Sequence, residues 1–256
     1  MKNFRIKTLK DGRTMLNLGC GPKTNWEWNN IDFSPYATLA RHRTFARILL
    51  KVSILDKERY LMSVKIDPDI IRWDLRNGIP FEDETFDVVY HSHFLEHLDR
   101  GLALPFLREC YRVLKRNSII RVVVPSLEAM VNDYIASISA LESGDETSFT
   151  AHEEAVRELI EPMVYREHPT TRQQSVLQRI VERVVRGNAR KAGELHRWIY
   201  DSYTLGALLL SVGFSDVEAE DAFTSRIENF NSFCLDLNED GSVYKSGSLW
   251  MEAVKK

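Results

Sequence analysis

The sequence predicts an α/β fold built on a doubly wound, mostly parallel sheet. Three observations lead to this prediction. Short apolar runs alternate with segments in which apolar residues recur every three or four positions, as in βαβ units. Two runs, FDVVYHS at 86–92 and SIIRVVVP at 118–125, are almost continuously apolar, which is typical of strands covered on both faces. The chain has 256 residues, 44% of them hydrophobic, enough for one large domain.

The order of the elements follows from the same alternation. Strands are predicted at TMLNLG (14–19), NNIDF (29–33), DIIRW (69–73), FDVVYHS and SIIRVVVP, and then at SDVEAED (215–221) and GSLWMEAVKK (247–256). Helices are predicted at 101–115, 127–138 and 202–212, the last ending at Gly213. The alternation is interrupted twice. We therefore predict a single domain over residues 1–256 with helical insertions at about 38–66 and 142–198.

Composition narrows the class of protein. A net charge of -3 argues against a nucleic-acid-coating protein, and we expect no nucleic-acid partner. No apolar run approaches the roughly 18 residues that would predict a transmembrane helix, and the N-terminus has no apolar core of signal-peptide length. Three widely separated cysteines suit a reducing compartment, which predicts a cytoplasmic protein without a disulfide framework.

Two glycines follow the first predicted strand, in MLNLGCGP at 15–22. Gly19 and Gly21 allow either a simple tight turn or the close approach of a ligand to the backbone. A nicotinamide-binding fingerprint requires a third glycine where Thr24 stands, so this pattern argues against an NAD-linked enzyme. Asp32 ends the second predicted strand, where a carboxylate can accept hydrogen bonds from both hydroxyls of a ribose.

Together, four stretches resemble the class I S-adenosylmethionine-dependent methyltransferases, more narrowly the type 11 group. They are LNLGCGP, NIDFSP, WDLRNGIPFEDETFDVVYHSHFLEHL and RECYRVLK, spread over about residues 14–126. The resemblance implies a Rossmann-like sheet, S-adenosyl-L-methionine as the cofactor and methyl transfer as the reaction. By position it implies a set of cofactor-binding residues: Asn17, Gly19, Cys20 and Gly21 near the methionine part, Asp32 on the ribose, Asp74 and Leu75 on the adenine, and His91 at the edge where donor and acceptor meet.

The sequence departs from the family at three places. Asn17 stands where an acidic residue is usual, which predicts a weaker or rearranged contact to the methionine end of the cofactor. Only nine residues separate Gly21 from Ile31, so WEWNN is predicted to form a loop instead of the usual first helix. The turn usually written KPGG is KRNS here, and Asn117 is the residue that tolerates a positive φ.

The stretch HSHFLEH carries the candidate catalytic residues. A general base helps if the acceptor is a hydroxyl, and histidine titrates near the working pH. His91 and His93 are therefore predicted as base or acceptor-orienting residues, the alternatives being cofactor contact or packing. Glu96 and His97 are interpreted as structural, at the start of the next helix. Without a nearby cysteine or aspartate at ligand spacing, we predict no metal site.

A basic stretch precedes the candidate acceptor site. Residues 166–198 carry eight Lys/Arg and three Glu, a net charge of +5, which fits either a solvated helix face or a pocket for an anionic acceptor. LHRWIYD at 195–201 is similar to a stretch of methyltransferases encoded with bacterial surface-polysaccharide genes. The predicted acceptor-binding residues are His196, Arg197, Trp198 and Tyr200. The sequence thus predicts O-methylation of a saccharide or other small molecule, with or without a phosphate group. The alternative is a non-catalytic cofactor-fold partner or regulator.

The first insertion is amphipathic. Its apolar stripe is formed by Phe45, Ile48, Leu49, Val52 and Leu55, and Arg41, Arg43, Arg47 and Lys51 lie elsewhere around the helix. Three interpretations remain open: a helix packed on its own domain, a lid over the cofactor, or peripheral contact with an anionic membrane surface.

Overall fold

The computed structural model describes residues 4–33, 35–52, 55–67, 69–143, 148–160 and 197–256. Within these ranges the chain forms seven strands and seven α-helices. The strands are β1 (Met15–Leu18), β2 (Asn29–Asp32), β3 (Ile71–Arg72), β4 (Phe86–Ser92), β5 (Leu114–Pro125), β6 (Ser215–Glu220) and β7 (Ser248–Lys255). The helices are α1 (Pro35–Arg41), α2 (Arg43–Lys51), α3 (Lys57–Lys65), α4 (Arg100–Val113), α5 (Leu127–Glu142), α6 (Phe149–Ile160) and α7 (Ser202–Val212).

One seven-stranded sheet organises the molecule, in the order β3-β2-β1-β4-β5-β7-β6. The pairs from β3 to β5 are parallel, and β7 runs antiparallel between β5 and β6. The predicted Rossmann-like, doubly wound fold is thereby confirmed. The strand order reverses between β1 and β4, and in such sheets ligands bind beyond the carboxyl ends of the strands at that point.

The two faces of the sheet are covered differently. On the helical face, α4 and α7 pack on the alternate apolar residues of the central strands, among them Leu16, Val89 and Val122. The opposite face is covered by residues 221–247, which we call the covering segment. Its Phe230 and Phe233 pack on Trp28, which is fully buried.

The elements agree with the predicted ones most closely where the apolar pattern is long. β4 spans the predicted residues, and α7 ends as expected at Gly213, whose φ is +112°. The loop between Gly21 and β2 contains no helix, as predicted. Asn117 has a φ of +60°, also as predicted, but it lies within β5, which begins at Leu114 instead of 118.

The insertions are only partly described. The first contains three short helices, α1 to α3. In the second, α6 packs on α5, the helix that precedes the insertion, and residues 161–196 lie outside the described ranges. Most of the basic stretch at 166–198 therefore lies outside them too.

Candidate active site

The glycine loop leaves the carboxyl end of β1 in a left-handed conformation. Gly19 has a φ of +62° and Gly21 a φ of +51°, values that glycine adopts without strain. A side chain at Gly19 would collide with the ring of Phe94, the residue that follows His93. At Gly21, no described atom lies within 4 Å of where a Cβ would stand. The loop thus contacts the segment after β4 and leaves open space beside Gly21.

Asp32 joins the glycine loop to the end of β2. Its side chain is buried, and Oδ2 accepts a hydrogen bond of 2.8 Å from the N–H of Gly21. The N–H of Cys20 donates to the carbonyl of Ile31 at 3.1 Å, which fixes the loop against the same strand. The carboxylate predicted to bind the ribose is therefore held directly beside the open space at Gly21.

Asn17 and Cys20 point into the protein. The amide of Asn17 is buried and donates to the carbonyl of Lys23 (3.0 Å) and to Oδ1 of Asn30 (3.1 Å). Cys20 packs against Ala37 and Ala40 of α1, and burial raises the pKa of its thiol well above the usual range. The described contacts of these two side chains hold the loop in place.

Asp74 and Leu75 begin a short 3₁₀ turn after β3. Asp74 accepts both guanidinium hydrogen bonds of Arg76, at 2.8 and 2.7 Å, and these hold the pKa of Asp74 below its usual range. Leu75 is buried in the core of the helical face. A carboxylate offers about four acceptor positions, so the pairing with Arg76 leaves capacity for a further donor such as an exocyclic amine.

His91 is fully buried near the end of β4. Its ring packs edge-on against Phe106, with centroids 5.3 Å apart, and lies 6.4 Å from the ring of Phe94. Neither ring nitrogen has a hydrogen-bond partner among the described residues. Burial lowers the pKa of His91 to about 4, so its imidazole is neutral at pH 7.

His93 lies between a carboxylate and a hydroxyl. Its Nε2 is 2.9 Å from Oγ of Ser248, the first residue of β7, and its Nδ1 is 3.3 Å from Oε1 of Glu96. Its backbone has a φ of +49°, rare for a residue other than glycine. The tautomer with Nδ1–H directed at Glu96 leaves Nε2 as the acceptor nitrogen, as in catalytic histidines that a carboxylate orients.

Glu96 is a fully buried carboxylate. Burial raises the pKa of Glu96, but the imidazoles of His93 and His97, whose ring nitrogens lie 3.3 and 3.9 Å from Oε1, outweigh it and leave the pKa below its usual range. Among the described residues, neither carboxylate oxygen makes a hydrogen bond of ordinary geometry. Glu96 in turn influences two neighbours. It adds to the burial that raises the pKa of Tyr200 to about 12, and it opposes the lowering that burial imposes on the pKa of Lys245.

Two of the predicted acceptor residues, Arg197 and Trp198, lie next to the same loop. The N–H of Arg197 donates to the carbonyl of Glu96 at 2.7 Å, and its guanidinium pairs with Asp99. The guanidinium of Arg100 lies 4.3 Å over the ring of Trp198, which is 37% exposed. Tyr200 is buried in the core instead. His196, the fourth predicted residue, lies outside the described residues.

Sequence reasoning missed three members of this cluster. Glu96 is interpreted from the sequence as structural, although His93 and His97 flank this carboxylate in HSHFLEH, which is a signal for a polar pair. Ser248 and Lys245 give no comparable signal because they lie at the start of β7 and just before it, about 150 residues away along the chain. The antiparallel pairing of β7 with β5 brings Ser248 beside His93.

The described part of the chain contains neither a metal-binding cluster nor a membrane-spanning helix. No group of three or more His, Cys, Asp or Glu side chains there could hold a metal ion. Over the same residues, no helix is both long and apolar enough to cross a bilayer.

Comparison with known proteins finds a match to one family profile. Residues 16–122 match a family profile described as a methyltransferase domain. No curated protein matches the chain. Similar solved structures include a SAM-dependent methyltransferase from Archaeoglobus fulgidus (17% identity, 95% of this chain and 86% of that chain, TM-score 0.39), one from Aquifex aeolicus (11%, 98% and 85%, 0.40) and PigF with SAH (11%, 95% and 56%, 0.41). At these identities and TM-scores, the likenesses carry no argument about substrate or site residues.

Proposed function

We propose that this chain is an S-adenosylmethionine-dependent methyltransferase that methylates a hydroxyl group of a small molecule, with a saccharide as the favoured class. The methyltransferase-domain match at 16–122 supports the methyl transfer and the cofactor. One observation carries the rest: an open glycine loop, a buried carboxylate and a histidine–carboxylate pair meet where the strand order reverses. The contact between Gly19 and Phe94 joins the glycine loop to the segment that carries His93 and Glu96.

The residues at this edge fit the proposed cofactor. The open space beside Gly21 admits a ligand close to the backbone, Asp32 supplies an acceptor for ribose hydroxyls, and Asp74 and Leu75 offer a polar and an apolar contact for an adenine. We assign Asn17 to holding the loop through Lys23. S-adenosylmethionine supplies a methyl group on a good leaving group, so the protein's own task is to align the acceptor and exclude water.

In this proposal His93 is the catalytic base. Its Nε2, 2.9 Å from Oγ of Ser248, takes the proton of the acceptor hydroxyl directly. Glu96 is a positioning residue: it orients the ring through Nδ1 and stabilises the imidazolium that forms. His91, predicted as the second candidate base, is enclosed by Phe94 and Phe106, and we assign it to packing beneath the site.

The acceptor contacts are proposed for Arg197 and Trp198. An exposed indole stacks on the C–H face of a sugar, and guanidinium groups bind hydroxyl or phosphate oxygens. The contact of Arg197 with the backbone of Glu96 supports this assignment, because it ties the pair to the loop that holds His93. We propose that the basic residues before position 197 attract an anionic acceptor. A place for this chain in polysaccharide biosynthesis follows from the same proposal.

Calorimetry with S-adenosylmethionine tests the cofactor assignment. Asp32→Asn keeps an oxygen that can accept the Gly21 N–H but removes the charge, and we expect it to weaken binding about 10- to 100-fold. The matched control is Asp133→Asn, an exposed aspartate of α5, which should bind normally. Undiminished binding by Asp32→Asn would contradict the ribose assignment, and binding of NADH instead would contradict the proposed function.

Transfer of labelled methyl groups to a panel of saccharides, with and without phosphate, tests the chemistry. His93→Gln should lower kcat about 100-fold or more with cofactor affinity kept. Glu96→Gln should lower kcat less and shift its pH profile. His152→Gln on α6 is the matched control and should keep full activity. Cofactor binding without transfer to any acceptor would favour the non-catalytic alternative.

A further inference from the structure

Helix α2 is packed on the protein along only one side. Ala46 is buried and Leu49 packs beside it, in a small cluster with Leu39 and Leu55. Three other apolar side chains of this nine-residue helix and its C-cap face solvent: Phe45 is 56% exposed, Ile48 52% and Val52 56%. Apolar side chains exposed together in this way mark an interaction surface more often than scattered single ones do.

The exposed side chains are arranged in sectors around the helix axis. At about 100° per residue, Phe45, Ile48 and Val52 project within about 60° of one another. Arg43, Arg47 and Lys51, all exposed, fill an adjoining sector of about 80°. The helix therefore presents an apolar stripe with a basic stripe alongside it, and its third side is buried. This is the pattern of helices that lie in the plane of a membrane interface.

A tryptophan extends this surface towards the glycine loop. Trp26 is 72% exposed, and it lines one surface depression together with Arg43 and Val64. Val64 is itself 37% exposed. Indole rings prefer the boundary between headgroups and acyl chains because one part is apolar and the N–H remains hydrated. We call Trp26, the exposed stripe of α2 and its three basic residues the α2 surface.

The positive charge around α2 favours a lipid bilayer as the partner of the α2 surface. The stretch 35–52 contains four Lys/Arg and no Asp or Glu. A basic border beside an exposed apolar stripe complements anionic headgroups, and each element alone would bind weakly. We propose that the α2 surface docks reversibly on the anionic surface of a lipid bilayer, with the apolar stripe entering the headgroup boundary.

The α2 surface lies close to the candidate active site. Cys20 of the glycine loop packs on α1, which directly precedes α2, and Trp26 lies five residues after Gly21. Docking would bring the carboxyl edge of the sheet close to the bilayer. Resting on the proposed function, this identifies the acceptor class more closely as a saccharide carried on a lipid.

Sedimentation with vesicles tests the docking without any cofactor or acceptor. The full chain should bind vesicles containing about one third phosphatidylglycerol, bind pure phosphatidylcholine at least about tenfold less, and dissociate at high salt. Phe45→Ser/Ile48→Ser should reduce binding to the anionic vesicles at least about tenfold. Arg43→Gln/Lys51→Gln should remove the preference for them. Leu210→Ser, an equally exposed apolar residue of α7, is the matched control and should bind normally.

Two results would overturn the docking proposal. One is absence of vesicle binding at low salt by a chain that is folded by circular dichroism. The other is a concentration-dependent dimer that Phe45→Ser/Ile48→Ser dissolves, since this would assign the stripe to a second copy of the chain. Methyl transfer to a water-soluble saccharide is measured separately, so failure of the docking and failure of the proposed function are distinguishable.

Discussion

The two faces of the sheet are stabilised by different physics. The helical face is sealed by regular helices, and its core is almost entirely apolar, with Leu107 and Leu205 fully buried against the strands. The opposite face is sealed by the covering segment, which has only one short 3₁₀ turn (Phe230–Phe233) between β6 and β7. A helix satisfies its own backbone, but an irregular segment has to find partners for its carbonyl groups elsewhere.

Arg121 supplies hydrogen-bond donors for two carbonyl groups of the covering segment. It is fully buried in the middle of β5, and it pairs with Asp236 at 2.8 Å and with Glu252 at 2.7 Å. The same guanidinium donates to the carbonyls of Asp221 (2.6 Å) and Thr224 (3.0 Å) in the covering segment. The planar guanidinium of Arg121, with its several N–H donors, thus holds the irregular backbone of the covering segment on the sheet.

The largest expected effect is on this network. Arg121→Met leaves Asp236 buried without its cation and leaves Glu252 with Arg226 alone, and we expect it to lower the free energy of unfolding by about 3–5 kcal/mol in urea titrations. Arg116→Met, on the exposed part of the same strand, is the control and should change it by less than about 0.5 kcal/mol. A loss no larger than the control's would mean that the network does not hold this face.

Leu107→Ala probes the helical face by the same measurement. Removing a fully buried side chain leaves a cavity, and we expect a loss of about 3–4 kcal/mol. The two faces should then differ in local behaviour. Limited proteolysis should cut the covering segment faster in Arg121→Met but not in Leu107→Ala. Equal cutting in both variants would show that the covering segment opens only with the whole domain.

His91 makes the helical face sensitive to acid. Its pKa is about 4 when folded, against an ordinary value of 6.5, so the unfolded chain binds the proton more tightly. Stability is therefore complete above about pH 6.5 and falls as the pH drops towards 4, by about 3 kcal/mol from this residue. Glu96, with its lowered pKa, adds to the acid loss with the same sign.

Replacing the imidazole of His91 separates its contribution to the acid-induced loss of stability from that of Glu96. His91→Phe keeps an aromatic ring against Phe106 and should have a shallower fall in unfolding free energy between pH 6.5 and 4. The Glu96 contribution is present in both proteins and cancels in the difference. Parallel pH curves for the two proteins would contradict the assignment of a buried, neutral imidazole.

The smallest effect is expected where one hydrogen bond of the network is removed. Tyr90 donates to Oδ1 of Asp236 at 2.6 Å. Tyr90→Phe should cost about 1.5 kcal/mol, because the carboxylate keeps Arg121 but loses a neutral donor. Tyr203→Phe, whose ring is 82% exposed, is the control and should be nearly neutral. A loss as large as that of Arg121→Met would mean that Tyr90 and Arg121 act as one unit.

Long periodic stretches of the sequence determined the sheet and its helical face. β4, α4 and α7 follow from alternating or three-to-four spacing, which depends only on neighbours along the chain. The glycine loop and Asp32 were predictable for a similar reason: a turn directly after one strand and a carboxylate at the end of the next must lie at the same edge of a parallel sheet. The absence of a helix before β2 followed from the nine residues available.

Tertiary structure alone decided the rest. Ser248 becomes a partner of His93 because the antiparallel β7 pairs with β5, and no local pattern encodes a pairing across some 150 residues. The same holds for Arg121, which in SIIRVVVP is a single charge in an apolar run. Its burial is stable only because Asp236 and Glu252, far along the chain, arrive to neutralise it. Local periodicity specifies which residues are inside, whereas the pairing of buried charges exists only once distant segments meet.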